Sequence, residues 1–118
     1  MKNKTIFESI KYAISGIILA FKEERNLGIY VIIALVFLAL NIILKSTYIE
    51  LIIYVILCAL VFATEYINTA IERVVDKFIL TKNPDAKYIK DVSAASVLTF
   101  GITFFIIEAL ILIPKIIS

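Results

Sequence analysis

Long apolar segments dominate the pattern of hydrophobic and polar positions along this chain. Residues 27–44 contain no charged residue. Residues 51–64 form a second uncharged run, and the helical periodicity of this run continues to about residue 80. Because a helix that spans a bilayer needs about 20 predominantly apolar residues, we expect one span over about 27–44. We expect a second, longer helix over about 48–80, which spans the membrane with residues 48–72 and leaves the hydrocarbon beyond them.

A third apolar segment covers residues 92–113. It contains Glu108 and is followed by Pro114, where we expect the helix to end because proline cannot donate a backbone hydrogen bond. The polar stretch at residues 81–85 separates the second and third segments, and a new helix can start near Asp85. The pattern predicts an all-α membrane protein with three transmembrane helices in one domain, residues 1–118.

A shorter segment, residues 4–22, has apolar residues at helical spacing with polar residues largely between them. Its apolar residues recur at three- and four-residue steps: Phe7, Ile10, Ile14, Ile17 or Ile18, and Phe21. This spacing predicts an amphipathic helix that lies in the membrane–water interface; a helix packed in a soluble cap is the alternative. Glu8 and Lys11 interrupt the apolar run, so we expect no cleavable signal peptide.

The composition supports a membrane location and excludes several chemistries. The chain is 62% hydrophobic with a mean hydropathy of +1.01, whereas soluble domains contain about 45–50% apolar residues. The net charge of +2 indicates no strong attraction to nucleic acid. The absence of histidine excludes histidine bases, triads and metal ligands. With three glycines, no glycine-rich phosphate loop of the soluble ATP-binding folds can be built.

The basic residues are divided unequally between the two ends of the predicted spans. Ten of the twelve lysines and arginines precede the first span or lie between the second and third, and only Lys45 and Lys115 lie at the other end. By the positive-inside rule, the N-terminus and residues 73–90 are predicted to be cytoplasmic and the C-terminus to be outside.

One face of the second helix carries a stripe of polar residues into the membrane. These residues are spaced by 3, 4 and 4 positions and fall within one arc of the helix: Glu65, Asn68, Glu72 and Asp76. Carboxylates at membrane depth are costly and are functional candidates. The alternative is that Glu65 and Glu72 only form ion pairs at a helix end, with Arg73, Lys77 or Lys90 as partners.

Two further charged segments are expected at the same membrane level. One is Glu24 in the segment between the surface helix and the first span, and the other is Lys90-Asp91 before the third span. Carboxylates together with phosphate oxygens are typical ligands of Mg²⁺, and a lysine can balance phosphate charge. The convergence of these residues predicts a site on the cytoplasmic side.

The sequence of these segments resembles a known family. The blocks that carry the resemblance are EYINTAIERVVD at residues 65–76, KDVSAASVL at residues 90–98, and Gly16, Phe21 and ERN at residues 24–26. They are similar to the signature of the prokaryotic diacylglycerol kinase and undecaprenol kinase family, over essentially the whole chain. The ERN segment resembles the Gram-positive branch that phosphorylates undecaprenol.

The resemblance implies a homotrimeric lipid kinase of the bacterial cell membrane that uses Mg²⁺ and ATP. It implies undecaprenol as the lipid substrate, with diacylglycerol as the alternative. Carried over residue by residue, it makes Glu65 the general base, and Glu24 and Glu72 the Mg²⁺ ligands. Contacts with ATP are implied for Tyr12, Lys90 and Asp91 in addition to Glu24 and Glu72. Asn68 would support the base and the lipid head, and Asp76 could hold the Lys90 region.

Some features depart from the family pattern or have another explanation. The family often has a histidine or an acidic residue where this chain has residues 81–83, and a basic residue at the position of Thr5. Glu108 is expected to reach outward or to meet a polar partner at a subunit interface. The small residues of the third span could serve assembly or packing within one subunit: Ser93, Ala94, Ala95, Ser96 and Gly101.

Two rival functions come from other classes of protein. In a small ion or proton pathway, the polar stripe would line a polar track through the whole membrane, but residues 51–63 contain almost no polar side chains. A non-catalytic assembly subunit would not need to bind Mg²⁺ and ATP.

Overall fold

The computed structural model describes residues 5–118, and these residues form four helices. They are α1 (Ile6–Glu23), α2 (Arg25–Ile43), α3 (Tyr48–Phe78) and α4 (Pro84–Ile117). The last three are long and apolar enough to cross a membrane, which confirms the predicted number of spans. Lys2 and Lys4, which contributed to the predicted orientation, lie outside the described residues.

The first helix begins at a capping box. The Thr5 hydroxyl accepts from the Glu8 backbone N–H at 3.2 Å, and the Glu8 carboxylate accepts from the Thr5 N–H at 3.3 Å. This exchange satisfies backbone donors at a helix start, and it explains why α1 begins at Ile6. No residue of α1 is buried, and Phe7 is 81% exposed.

The turn between α2 and α3 reverses the chain in four residues. Lys45 adopts a left-handed conformation (φ 57°), and its N–H donates to the Ile42 carbonyl at 3.1 Å while the Ser46 N–H donates to the Asn41 carbonyl at 2.9 Å. This is the Schellman arrangement, which satisfies carbonyls at a helix C-terminus. Thr47 then caps α3 through a second capping box with Glu50.

The third helix is continuous over 31 residues, as the periodicity predicts, and ends at Phe78. At 1.5 Å per residue its length is about 46 Å, which exceeds the roughly 30 Å of a hydrocarbon core. The helix is therefore longer than a bilayer interior requires, and its C-terminal part carries the polar stripe.

The fourth helix differs from the prediction at one end. It starts at Pro84, with the Asn83 side chain accepting from the Asp85 N–H at 2.8 Å, close to the expected start. The prediction that it ends at Pro114 is wrong, because α4 continues to Ile117. Pro114 removes one backbone N–H donor from the helix, and an ion pair between Lys115 and Glu50 (2.9 Å) holds the last turn against α3.

Helices α3 and α4 pack antiparallel and form the main contact of the fold. Ion pairs connect them at both ends: Lys90 with Asp76 (2.8 Å) and Lys115 with Glu50 (2.9 Å). Between these ends lies an apolar core of Tyr54, Leu57 and Phe104. Phe37 of α2 packs edge-on against the Phe104 ring, with 5.1 Å between centroids.

A second group of polar residues is buried at the end opposite the acidic stripe. Asn41 and Glu108 are both 0% exposed. Asn41 Nδ2 donates to Glu108 Oε1 and to the Phe37 carbonyl, each at 2.8 Å, and its Oδ1 accepts from the Ser46 hydroxyl at 2.7 Å. Glu108 therefore does not reach outward, as one expectation had it; it has a polar partner within its own subunit.

Candidate active site

Three carboxylates from two parts of the chain meet at one end of the helix bundle. Oxygens of Glu24, Glu65 and Glu72 all lie within 4.8 Å of one another. Glu65 and Glu72 are seven residues apart on α3, and this spacing of two helical turns places them on one face. Glu65 is 2% exposed and the other two are half-buried. The structure thus brings together the three carboxylates that the sequence analysis selected for base and metal roles.

Glu24 reaches the cluster because it forms the junction between α1 and α2. It adopts an extended conformation (φ −109°, ψ 107°), ends the first helix and caps the second, and its side chain accepts from the Asn26 N–H at 3.3 Å. Leu27, which is 0% exposed, anchors the first turn of α2 in the interior. This bend directs the chain past the acidic face of α3.

Each oxygen of the Glu65 carboxylate has its own hydrogen-bond donors. The Tyr30 hydroxyl of α2 donates to Oε2 at 3.1 Å. Oε1 accepts longer hydrogen bonds of 3.4 Å from Asn68 Nδ2 and from the Thr69 hydroxyl, both on α3. Tyr30 was not among the site residues predicted from the sequence, because nothing in the pattern along the chain relates position 30 to position 65.

Asn68 connects the two α3 carboxylates. Its Nδ2 donates to Glu72 Oε1 at 2.9 Å in addition to the longer contact with Glu65. Its Oδ1 is buried without a hydrogen-bond partner. A buried acceptor without a partner is uncommon, and this one belongs to the side chain whose amide nitrogen contacts both α3 carboxylates.

The other predicted site residues lie outside the carboxylate cluster. Lys90 donates to Asp76 Oδ1 at 2.8 Å, so these two predicted residues contact each other. Asp91 is exposed and forms an ion pair with Lys87. Tyr12 lies on α1 and is 50% exposed. The structure therefore does not gather Asp91 and Tyr12 with the three glutamates.

The alternative that the stripe only forms ion pairs is not supported. Arg73, one of the candidate partners, pairs with Glu23 of α1, and Lys90 pairs with Asp76. Over residues 5–118, neither Glu65 nor Glu72 has a basic side chain within 4 Å. Among the described residues, the two carboxylates therefore lie close together without a direct basic partner.

A cavity of about 520 Å³ begins at Glu65 and extends between the three long helices. Its polar lining is at one end, where Asn26, Tyr30, Glu65 and Asn68 lie. The rest of the lining is apolar and comes from α2, α3 and α4, including Ile33, Ala34, Val61, Gly101, Phe104 and Phe105. Glu24 and Glu72 do not line it, so Glu65 is the carboxylate of the cluster that borders the apolar space.

Three apolar helices with a buried carboxylate cluster at the end of an apolar cavity are features of an integral membrane enzyme. The family model for prokaryotic diacylglycerol kinase matches residues 11–112. The undecaprenol kinase of Bacillus subtilis is 34% identical over 109 residues, which cover 92% of this chain and 89% of that protein. The diacylglycerol kinase of Haemophilus influenzae is 33% identical over 92 residues, 78% of each chain. No solved structure matches this chain significantly.

The chain therefore belongs to the prokaryotic diacylglycerol kinase family and is an integral membrane lipid kinase. Kinase activity implies ATP as the phosphoryl donor and a membrane lipid as the acceptor. This confirms the family that the sequence blocks at residues 65–76 and 90–98 indicated.

Proposed function

We propose that this chain transfers the γ-phosphoryl group of ATP to the hydroxyl group of undecaprenol, in a reaction that requires Mg²⁺. The similarity to the Bacillus subtilis undecaprenol kinase over 92% of the chain supports this acceptor, as does the ERN segment at residues 24–26. Diacylglycerol is the second candidate, since other relatives are named as diacylglycerol kinases. Both lipids present a primary hydroxyl group at the membrane surface.

The position of Glu65 carries the proposed mechanism. It is the carboxylate that borders the apolar cavity, and it lies within 4.8 Å of the other two glutamates. A lipid whose tail occupies the apolar part of this cavity would present its hydroxyl group to Glu65. A general base must lie within hydrogen-bond reach of the proton that it removes, so we assign this role to Glu65.

The residues around the cluster fit a Mg²⁺ ion. Three carboxylates within 4.8 Å repel one another, and Mg²⁺ prefers oxygen ligands from one or two carboxylates together with phosphate oxygens. Glu24 and Glu72, whose oxygens lie within 4.8 Å of each other, would hold the ion. When bound, Mg²⁺ would offset the negative charge of the ATP phosphates.

The proposed reaction is an in-line displacement. The lipid hydroxyl oxygen attacks the γ-phosphorus while Glu65 accepts the hydroxyl proton, and the bond between the γ-phosphorus and the bridging oxygen breaks to release ADP. Asn68 contacts both carboxylates, with a hydrogen bond of 2.9 Å to Glu72 and a longer contact of 3.4 Å to Glu65. Most of the rate comes from positioning and charge balance, since phosphoryl transfer needs little covalent help from the protein.

Lys90 is proposed to balance the phosphate charge. It is half-buried, and Asp76 on the turn of α3 after Glu72 holds its ammonium group. Direct contacts of Asp91 and Tyr12 with the nucleotide rest on the family resemblance. Asp91 and Tyr12 belong to α4 and α1, so ATP would have to extend beyond the glutamate cluster to reach them.

The proposed setting is the bacterial plasma membrane, with the N-terminus and the active site cytoplasmic and the C-terminus outside. The excess of basic residues near the acidic cluster supports this orientation. The exposed apolar residues of α1, Phe7, Ile10 and Ile14 among them, support a helix that lies on the membrane surface.

We also propose that the chain assembles as a homotrimer, as the resemblance implies. Two neighbouring small residues on α4, Ala95 and Ser96, are exposed in the single chain and do not line the cavity. Small residues allow close approach of helices in membranes, which supports a subunit contact there.

The rival functions agree less well with the structure. An ion pathway would require the polar residues at the two ends to connect, but the apolar core of Tyr54, Leu57 and Phe104 lies between Glu65 and Glu108 along α3 and α4. A non-catalytic subunit would not need three carboxylates within 4.8 Å of one another.

A kinase assay of the Glu65→Gln variant tests the proposal. The purified variant in lipid or detergent should lose nearly all phosphorylation with Mg²⁺ and ATP, because Gln cannot accept the proton, while its assembly state in detergent stays that of the unaltered chain. Near-normal activity would refute the base assignment. Assays of the unaltered chain with undecaprenol and with diacylglycerol, run side by side, decide the acceptor.

A further inference from the structure

The Tyr30 hydroxyl group is the donor that approaches Glu65 from a different helix. It donates to Oε2 at 3.1 Å, whereas Oε1 has only contacts of 3.4 Å from α3 itself. A carboxylate on a side chain with several rotatable bonds is not held in place by two long hydrogen bonds alone. The bond from α2 is therefore the contact that best defines where the Glu65 carboxylate points.

Aromatic contacts hold the Tyr30 ring itself. Phe62, one turn before Glu65 on α3, packs edge-on against this ring, with 6.3 Å between centroids and an interplanar angle of 84°. Phe62 is in turn stacked on Phe21 of α1, at 6.2 Å and 16°. Such pairs add to the stability of packing beyond the area that they bury. Three helices therefore combine to fix the position of the hydroxyl group.

We propose that Tyr30 is a positioning residue for the phosphoryl transfer: its hydroxyl group orients the Glu65 carboxylate toward the lipid hydroxyl at the polar end of the cavity. This inference rests on the proposed role of Glu65 as the base. Tyr30 and Glu65 line the same cavity, so the hydrogen bond lies where the acceptor hydroxyl would arrive. Because the Tyr30 hydroxyl group holds Oε2, the other oxygen, Oε1, has the weaker hydrogen bonds. Oε1 is therefore the better proton acceptor.

The Tyr30–Glu65 hydrogen bond also connects α2 with α3 at the site. Tyr30 lies on the helix that Glu24 caps, less than two turns from its start. The hydrogen bond between Tyr30 and Glu65 therefore connects the proposed base on α3 to the start of α2, where the proposed metal ligand Glu24 lies. Misplacement of a reacting group by a small distance is costly to rate, so this link should affect the chemical step more than the binding of either substrate.

The Tyr30→Phe variant tests this role, because it removes the hydroxyl group and keeps the ring against Phe62. Loss of a hydrogen bond to a charged group should lower kcat about tenfold. KM for ATP and KM for undecaprenol should each change less than about twofold. The matched control is Tyr66→Phe. Tyr66 also packs against Phe62, at 6.5 Å, and its hydroxyl group has no hydrogen-bond partner within residues 5–118; kcat should stay within about twofold of normal.

The inference is overturned if Tyr30→Phe keeps normal kcat, or if KM rises while kcat is unchanged. It is also overturned if Tyr66→Phe lowers kcat as strongly, because the effect would then come from the aromatic packing. Circular dichroism and thermal unfolding of each variant in detergent check that the fold is retained. Should Tyr30→Phe fail to fold, Tyr30→Leu, which also lacks a hydrogen-bond donor, replaces it with the same criterion: kcat should fall about tenfold while both KM values change less than about twofold.

A double-mutant cycle separates this inference from the proposed function. If Tyr30 acts through Glu65, adding Tyr30→Phe to Glu65→Gln should not lower the residual activity further. A further tenfold fall in the double variant would show that Tyr30 acts by another route and would overturn the inference alone. If Glu65→Gln keeps normal activity, the base assignment fails first, whatever the result at Tyr30.

Discussion

Asn41 of α2 donates a hydrogen bond of 2.8 Å to Glu108 of α4, and both side chains are fully buried. The second carboxyl oxygen, Oε2, has no hydrogen-bond partner among the described residues. Ser46, in the turn after α2, completes the group by donating to Asn41. The polar contact therefore connects two spans at the end of the bundle opposite the glutamate cluster, where it can determine how the helices pair.

Replacing Glu108 by Ala should destabilise the protein without altering its chemistry. Asn41 would lose an acceptor in the interior, which costs about 1–3 kcal/mol. Unfolding in mixed micelles should show this loss, while kinase activity per folded molecule stays within about twofold. Glu108→Gln is the matched control, since it keeps an acceptor for Asn41. A large fall in kcat with unchanged stability would contradict this expectation and would give Glu108 a part in catalysis.

Replacing Glu24 by Gln should weaken the use of Mg²⁺. The substitution keeps the size of the side chain but removes one charge from the cluster of three carboxylates. The Mg²⁺ concentration for half-maximal activity should rise about ten- to hundredfold. Glu23→Gln provides the comparison, because Glu23 is exposed and pairs with Arg73 instead. An unchanged Mg²⁺ requirement in Glu24→Gln would remove Glu24 from the metal site.

Replacing Gly101 by Leu should obstruct the lipid. Gly101 lines the apolar cavity, and an added Cβ meets no atom within 4 Å, so the larger side chain can enter the space without a clash at its base. KM for the lipid should rise at least about fivefold while KM for ATP is unchanged. The control is Gly28→Leu, which has equal room but lies outside the cavity lining. Equal effects of both changes on the lipid KM would argue against this cavity as the lipid site.

Replacing Lys90 by Gln should weaken ATP binding. The change removes a charge that is proposed to balance the phosphates, so KM for ATP should rise roughly fivefold. Asp76 loses its partner, but this carboxylate is 64% exposed, and such pairs contribute little to stability. Lys77→Gln, an exposed change one residue from Asp76, should leave KM for ATP unaltered. If both variants behave alike, Lys90 acts only through general surface charge.

Much of the fold could be read from the sequence because membrane helices obey local rules. The lengths of the apolar segments predict three spans, and the periodicity that continues past Glu65 predicts the single long helix α3. The end of α4 could not be read in this way. From the local sequence, Pro114 predicts that the helix ends there. The structure instead has one further turn, which an ion pair between Lys115 and Glu50 holds against α3. These two residues are far apart in the chain.

The spacing of Glu65, Asn68 and Glu72 by itself determined that these groups share one helix face, because helical geometry relates residues three and four apart. Only the tertiary structure decided their partners. It places Glu24 within 4.8 Å through the bend between α1 and α2, and the Tyr30 hydroxyl on Glu65 through the packing of α2 against α3. Contacts between distant segments depend on how whole helices pack, and a pattern along one helix carries no record of that packing.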